Sequence, residues 1–386
     1  MVSDGGQAPH RSVREDQQVD APLRAVPRGG AGRREGRLSP VTPTSETPVT
    51  DLDALPAGSP EGKGPGLDRL GRRLLVPLGL GVLVVVGLAL TANPRELARS
   101  LRVFDLRLLV PVLALSLFNY GLRWVRWEIY LRRVGATLSK GRSLAVFLVG
   151  FLLSVTPGKA GELGKAWLVR ELGGGQAMRV ISVVLAERVT DVLGTFVLIA
   201  LGTFPLPGGP WITAAGVAGV IVTLVLLTWR RGAEWAFAIL RKMPVIGPRV
   251  PHLVEMYDRL QELLSPGLAV MATTVATVAW AAEGLGFWLV VRNYAPKADL
   301  LLSVFNYTAA NVLGGLSMLP GGLGAAEGSL AALLHGQGLD TADASSITLI
   351  VRAATLWFSV LLGLVALPFV ARWLAGRGEQ ASDVAT

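Results

Sequence analysis

Several stretches of this chain run uncharged for the thickness of a bilayer, among them 74–92, LLVPLGLGVLVVVGLALTA, and 211–229, WITAAGVAGVIVTLVLLTW. As helices at ~1.5 Å per residue they reach about 28 Å, close to a ~30 Å hydrocarbon core. Lipid offers backbone amides no hydrogen bonds, so such segments must satisfy them internally, as helices. The expected fold is therefore all-α: a polytopic integral membrane protein of about six to eight transmembrane helices. Composition agrees, with 51% hydrophobic residues, 17% charged residues and a mean hydropathy of +0.49.

The net charge of +9 does not mark a nucleic-acid binder. Residues 1–73 hold eleven Lys/Arg and ten Asp/Glu, so the surplus lies in loops of the membrane part, where positive charge marks the cytoplasmic side. The chain has no cysteine, and its histidines, His10, His252 and His335, are scattered. Neither a metal site nor a cofactor is expected. No apolar run stands near the N-terminus, so 74–92 is expected to serve as the insertion signal.

Residues 1–66 hold nine of the 23 prolines and no hydrophobic period, and 1–73 reads as a disordered cytoplasmic tail. The membrane domain covers 74–372, and 373–386 is a short cytoplasmic tail. Further spans are expected over 107–131, 178–204, 211–229, 267–292 and 344–371, with a tight turn at 205–210. Residues 231–265 read as a basic linker of amphipathic surface helices.

Two apolar pieces, 143–157 and 303–319, are too short to cross. They stop at Pro157 and Pro320, followed by the glycines Gly158 and Gly161 in one case and Gly321, Gly322 and Gly324 in the other. A second half-helix follows each, at about 161–172 and 325–336. A half-helix, a break and a returning half-helix make a re-entrant hairpin, tolerated at membrane depth where it lines a cavity. The positive loops 123–142 and 230–260 place the first hairpin on the cytoplasmic face, the second on the outer face, and both termini inside. Arg95, Arg99, Arg102 and Arg107 fall outside in this scheme, and a chain in which all eight segments cross is the competitor.

The halves repeat. Pro157 aligns with Pro320, Glu162 with Glu327 and Arg188 with Arg352, at offsets of 163, 165 and 164. Repeat 1 spans about 107–204 and repeat 2 about 267–371, in opposite orientation. Inverted repeats with broken helices near the midplane point to a transport site, and half-helix N-termini attract anions.

Charges inside the spans name the candidate residues. Glu187, Arg188 and Asp191 share one segment, with Asp191 on the face of both neighbours. Arg352 is the one charge in its span, and Glu283 the one near-central charge in 267–292. Each costs roughly 2.5–3.5 kcal/mol at depth unless paired. Arg352 is expected to meet Glu327, Glu283 or Glu162. Glu162 and Glu327 can pair, carry a proton or cap the returning half-helices. The stretch 122–131, LRWVRWEIYL, carries Arg123 and Arg126 among aromatics and reads as an interfacial belt or a lipid-headgroup contact. Lys159, Lys165 and Arg170 add positive charge near the first break.

This set resembles the flippase-like membrane domain family, the transmembrane region also found in lysylphosphatidylglycerol synthases. The residues that carry the resemblance are Arg123-Trp124 through Tyr130-Leu131, Pro157 with Gly161-Glu162, Arg188 with Asp191, LPGGLGAAEG at 319–328, and Arg352. It implies translocation of a lipid, or of a lipid-linked sugar or amino acid, between leaflets of the inner membrane. The synthase's soluble aminoacyl-transferase domain has no counterpart here, so that activity is not implied. Lys159 stands where the family pattern has an arginine, so two-pronged phosphate binding is not carried over to the break. The expected partners are membrane lipids with an anionic or polyprenyl-phosphate headgroup, and a membrane-associated transferase is a further candidate. No G-x-x-x-x-G-K-[ST] motif is present, and the expectation is a transporter rather than an enzyme. The runner-up readings are an enzyme acting on lipid phosphates, for which no nucleophile is evident, and a non-catalytic partner of a transferase.

Overall fold

The computed structural model describes residues 93–203, 208–244 and 247–385, together with positions 83, 86, 87 and 90. The expected tail 1–73, nearly all of the expected span 74–92, the last residue of the expected span 178–204 and residues 205–207 of the expected turn lie outside the described residues. Helices account for nearly everything described, and no strand occurs among these residues.

A short amphipathic helix comes first, α1 (Pro94–Val103). Its first turn is fixed by Pro94 and by Asn93, whose side chain accepts the Arg95 amide. The long helix α2 (Leu109–Arg133) follows. Then come the half-helix α3 (Lys140–Leu153), a 3-10 break at Pro157–Leu163, and α4 (Gly164–Glu171). Next are the charged helix α5 (Ala177–Thr203), α6 (Gly209–Thr228), and two amphipathic helices, α7 (Arg230–Arg241) and α8 (Val250–Leu263).

The second half follows the same order. It has a long helix α9 (Pro266–Tyr294), a half-helix α10 (Leu300–Leu316), a break at Pro320–Gly322, and α11 (Ala325–Gly336). Then α12 (Thr341–Arg352) passes through a π-helical turn at Ala353–Trp357 into α13 (Phe358–Ala385). Asp299 and Asp340 start α10 and α12 by accepting the amides of Leu302 and Asp343.

Among the described residues three helices are long and apolar enough to cross a membrane: Leu106–Arg133, Pro266–Tyr294 and Thr341–Gly376. The pair Gly209–Val225 and Arg230–Arg241, bent by 58°, would make a fourth. The 27-residue α5 has the length, but its charges set it apart from these.

The repeat is visible in how the helices pack. α2 and α9 run antiparallel: Asn119 Nδ2 donates to Ala279 O in the middle, and Asp105 N to Asn293 Oδ1 at one end. At that end lie α1, the start of α2, the end of α9 and the start of α12. They are tied by Ser100 Oγ to Asp343 (2.6 Å) and by Tyr294 OH to Ser100 O. The opposite end gathers the finish of α2, both ends of the α3–α4 unit and the start of α5. There Thr137 N donates to Gly174 O, and Arg133 and Arg179 reach Glu262 and Glu255 of α8.

Each half-helix unit thus starts and finishes at one end of the bundle, the two units at opposite ends. Their breaks meet in between, where Gly158 N donates to Met318 O. Each leading half-helix also packs on the other repeat: α3 on α13, α10 on α5.

Two apolar cores result. One surrounds Trp127, Phe147 and Val180, the other Phe287, Tyr307 and Ile347. Small residues let the helices approach. A Cβ on Gly194 would lie 2.9 Å from the Ala276 side chain, and one on Gly202 2.5 Å from Phe305.

Candidate functional site

Helix spacing builds the first charge cluster. Glu187, Arg188 and Asp191 lie within five residues of α5, and Arg123 and Arg126 are one turn apart on α2. Asp191 receives three guanidiniums. Arg126 donates to Oδ1 at 2.7 Å, while Arg188 and Arg123 reach Oδ2 at 3.1 and 3.3 Å. Arg126 is fully buried and also reaches Thr190 Oγ1.

The first break supplies the rest. Glu162 meets Arg188 at 3.3 Å and Lys165 at 3.8 Å, and Lys165 bonds Glu187 at 2.8 Å. The Lys165 ammonium also sits 4.5 Å from the centre of the Trp127 ring, a cation–π contact that helps hold a buried cation. With Lys159, the cluster holds five cations, Arg123, Arg126, Lys159, Lys165 and Arg188. It holds three carboxylates, Glu162, Glu187 and Asp191, for a formal surplus of two positive charges.

The second break carries a neutral pair. Arg352 Nε donates to Glu327 Oε1 at 2.6 Å, and its Nη2 to Gly321 O at 3.1 Å. The other Glu327 oxygen accepts the Gly324 amide at 2.7 Å, which caps α11. In both repeats, then, the arginine of the charged helix meets the glutamate after the break. Just beyond Arg352 the π turn frees carbonyls that Ser116 and Tyr120 of α2 satisfy, at Ala354 O and Thr355 O.

Where the breaks meet lies a cavity of about 360 Å³. Its charged wall is Lys159, Arg188 and Asp191; Thr195, Trp280 and Asn311 add polar atoms. Val192, Phe196, Leu316 and Leu319 make it apolar elsewhere, and Leu316 and Leu319 are themselves exposed. A few polar groups in a largely apolar pocket fix a polar headgroup beside a greasy tail.

With this geometry in view, comparison with known proteins is informative. The sequence profile described as "Lysylphosphatidylglycerol synthase TM region" matches residues 77–363. The chain belongs to this family.

Relatives include two UPF0104 membrane proteins of Methanothermobacter thermautotrophicus. One is 21% identical, aligned over 75% of this chain and 93% of its own; the other is 25% identical, over 74% and 90%. A UPF0104 membrane protein of Pyrococcus horikoshii is 22% identical over 74% and 93%.

Several sequence-selected residues of this family member converge, and some do not. Arg123, Lys159, Glu162, Glu187, Arg188 and Asp191 come together. Arg188 pairs with Glu162 and Asp191, whereas its neighbour Glu187 turns to Lys165. Glu327 and Arg352 form their own pair, and Arg352 is absent from the cavity wall, reaching it only through the Gly321 carbonyl. Glu283 joins neither group; it accepts from Tyr307 OH at 2.7 Å.

The belt reading of 122–131 is corrected. Arg126, Trp127 and Tyr130 are buried, because α3, α4 and α5 close over that face of α2 and Asp191 supplies the counter-charge. From the sequence Arg126 reads as a span-end charge and Lys165 as positive charge near the first break, and nothing local marks Trp280.

Proposed function

We propose that this membrane protein moves a lipid with an anionic headgroup between the two leaflets of the cell membrane. The headgroup lodges against Lys159 and Arg188, and the acyl chains stay in surrounding lipid beside Leu316 and Leu319. The observation that carries this reading is the positive surplus of an internal cavity. Two cations face it with one carboxylate, and that carboxylate already serves three guanidiniums. An anion is the ligand that lowers the energy of such a cavity most.

The architecture favours passage rather than storage. In this reading the crossings among the described residues are those expected at 107–131, 178–204, 211–229, 267–292 and 344–371, with two re-entrant hairpins between them. The hairpins come from opposite ends and touch at the cavity, so small relative movements open it to one side or the other. The basic segments 123–142 and 230–260 face the cytoplasm with both termini. No chemical step is assigned to the site, whose charged groups bind each other and the headgroup. A lipid gradient or consumption of lipid on one side supplies the drive.

The test is translocation by purified protein in vesicles, read from the bleaching of a fluorescent anionic lipid by a membrane-impermeant reductant. Lys159→Ala and Arg188→Met are expected to slow it at least tenfold while the protein still inserts and elutes as a folded species. Unchanged rates in both variants would sink the assignment. Release of labelled phosphate from the lipid would replace it with an enzyme.

A further inference from the structure

We infer that the cavity takes lipids whose only headgroup charge is the phosphate's and rejects aminoacylated, cationic headgroups such as the lysylphosphatidylglycerol named in the family's description. The inference rests on the lipid-carrier reading and goes one step further, to the class of headgroup.

The wall is rich in open donors. The Lys159 ammonium has no carboxylate within 4.0 Å among the described residues. Arg188 Nε and Trp280 Nε1 are both buried without an acceptor, and both residues line the cavity. An indole N–H can only donate, as can an ammonium and a guanidinium. Buried donors left unpaired are costly, and a phosphate, with several anionic oxygens, is an acceptor that suits donors of each of these kinds.

Free acceptors are scarce. Asp191 is the one carboxylate in the wall, and both of its oxygens are engaged, at 2.7, 3.1 and 3.3 Å. Glu162 is taken by Arg188 and Lys165. Thr195 donates to its own helix, and the Asn311 amide donates to Tyr307 O, so the side-chain acceptors left are neutral, the Thr195 hydroxyl and the Asn311 carbonyl oxygens. Glu283 follows Trp280 by one turn, but it is outside the wall and accepts from Tyr307. A lysyl ammonium entering this cavity meets a positive surplus and no free carboxylate.

Trp280 is the telling residue, because it adds specificity without charge. Its loss removes one hydrogen bond to an ionised oxygen, worth roughly tenfold in affinity.

The experiment uses the full chain in detergent, with binding read by thermal stabilisation and competition. The probes are dihexanoyl phosphatidate, dihexanoyl phosphatidylglycerol, dihexanoyl phosphatidylcholine, the lysyl ester of the phosphatidylglycerol, and inorganic phosphate. Phosphatidate and phosphatidylglycerol are expected to bind at least tenfold more tightly than the choline and lysyl forms. Trp280→Phe is expected to weaken phosphatidylglycerol about tenfold, with the unliganded melting temperature unchanged. The lysyl lipid binding within threefold of phosphatidylglycerol would overturn the inference, as would a Trp280→Phe variant with full affinity. Inorganic phosphate binding as tightly as the lipids would assign the site to the free anion instead. Discrimination among lipids without vesicle translocation would keep the headgroup assignment and overturn the carrier reading. Translocation of all headgroups alike would do the reverse.

Discussion

The pair between Arg352 and Glu327 is the cleanest electrostatic test the fold offers, because it stands apart from the crowded cluster of the first repeat. The side chains are 7% and 3% exposed and meet at 2.6 Å. At an effective dielectric of ~20, opposite charges ~4 Å apart attract by about 4 kcal/mol. Burying both cancels much of that attraction, so the pair adds little net stability. Removing one partner leaves a lone buried charge and costs about 3–5 kcal/mol.

Glu327→Gln keeps a carbonyl for the Gly324 amide but faces Arg352 with a neutral side chain. Arg352→Met leaves a buried carboxylate that retains only the Gly324 cap. Both are expected to lose about 3–5 kcal/mol. The double variant is expected to recover at least ~2 kcal/mol of the summed loss, since no unpaired charge remains. Equilibrium unfolding in mixed micelles measures all three. If the two losses add to within about 0.5 kcal/mol, the carboxylate and the guanidinium do not depend on each other, and the reasoning about buried charge in this bundle is wrong.

Other outcomes follow from the same geometry. Lys165→Met strands Glu187 without its cation and removes the Trp127 contact, and should cost about 3–5 kcal/mol in the same unfolding assay. In Gly161→Ala the new methyl would lie 2.5 Å from Leu153 O and 2.7 Å from Thr156 Oγ1. A loss of about 1–3 kcal/mol and slowed translocation are expected. The chain lacks cysteine, so Ser139→Cys and Gln337→Cys can each be labelled alone in intact cells. Position 139 should react only from the cytoplasm and 337 only from outside; a shared compartment refutes the opposed hairpins. Lys159→Gly relieves a left-handed residue and should raise stability by about 1 kcal/mol while abolishing translocation.

What could be read beforehand was what one-dimensional signals determine. The half-helices ended where proline and glycine said they would, at Leu153 and Leu316 within a few residues. The matched positions of Glu162 and Glu327, and of Arg188 and Arg352, appear as matched ion pairs. The partner choices were not readable, because they depend on which helices become neighbours. Arg352 had three candidate carboxylates, and the α11 cap and the Gly321 carbonyl decide for Glu327. Arginine beside tryptophan at a span end looks the same whether lipid headgroups or other helices cover it. Only the closure of α3, α4 and α5 over α2 makes Arg126 an interior residue. Trp280 gives no local sign, since an aromatic in an apolar helix reads as packing.

The two breaks share a left-handed pair after their prolines and differ in chemistry. After Pro157 come two left-handed residues, Gly158 (φ 59°) and Lys159 (φ 57°); after Pro320 come Gly321 (φ 61°) and Gly322 (φ 66°). At Gly322 a Cβ would lie 3.1 Å from the Gly314 backbone, so packing and φ both demand glycine there. The first break accepts a side chain at the equivalent place, at the strain a lysine carries in that conformation. Lys159 is thus held against its backbone preference, lines the cavity and has no ion-pair partner among the described residues, which is what the proposed headgroup contact requires of it. With Arg352 neutralised by Glu327 and the surplus confined to the first repeat, the near-symmetric scaffold holds one asymmetric site. Residues of both breaks, Gly158 and Lys159 in one and Gly321 and Gly322 in the other, line that cavity, so in the proposed transport cycle the same ammonium and guanidinium face whichever side opens.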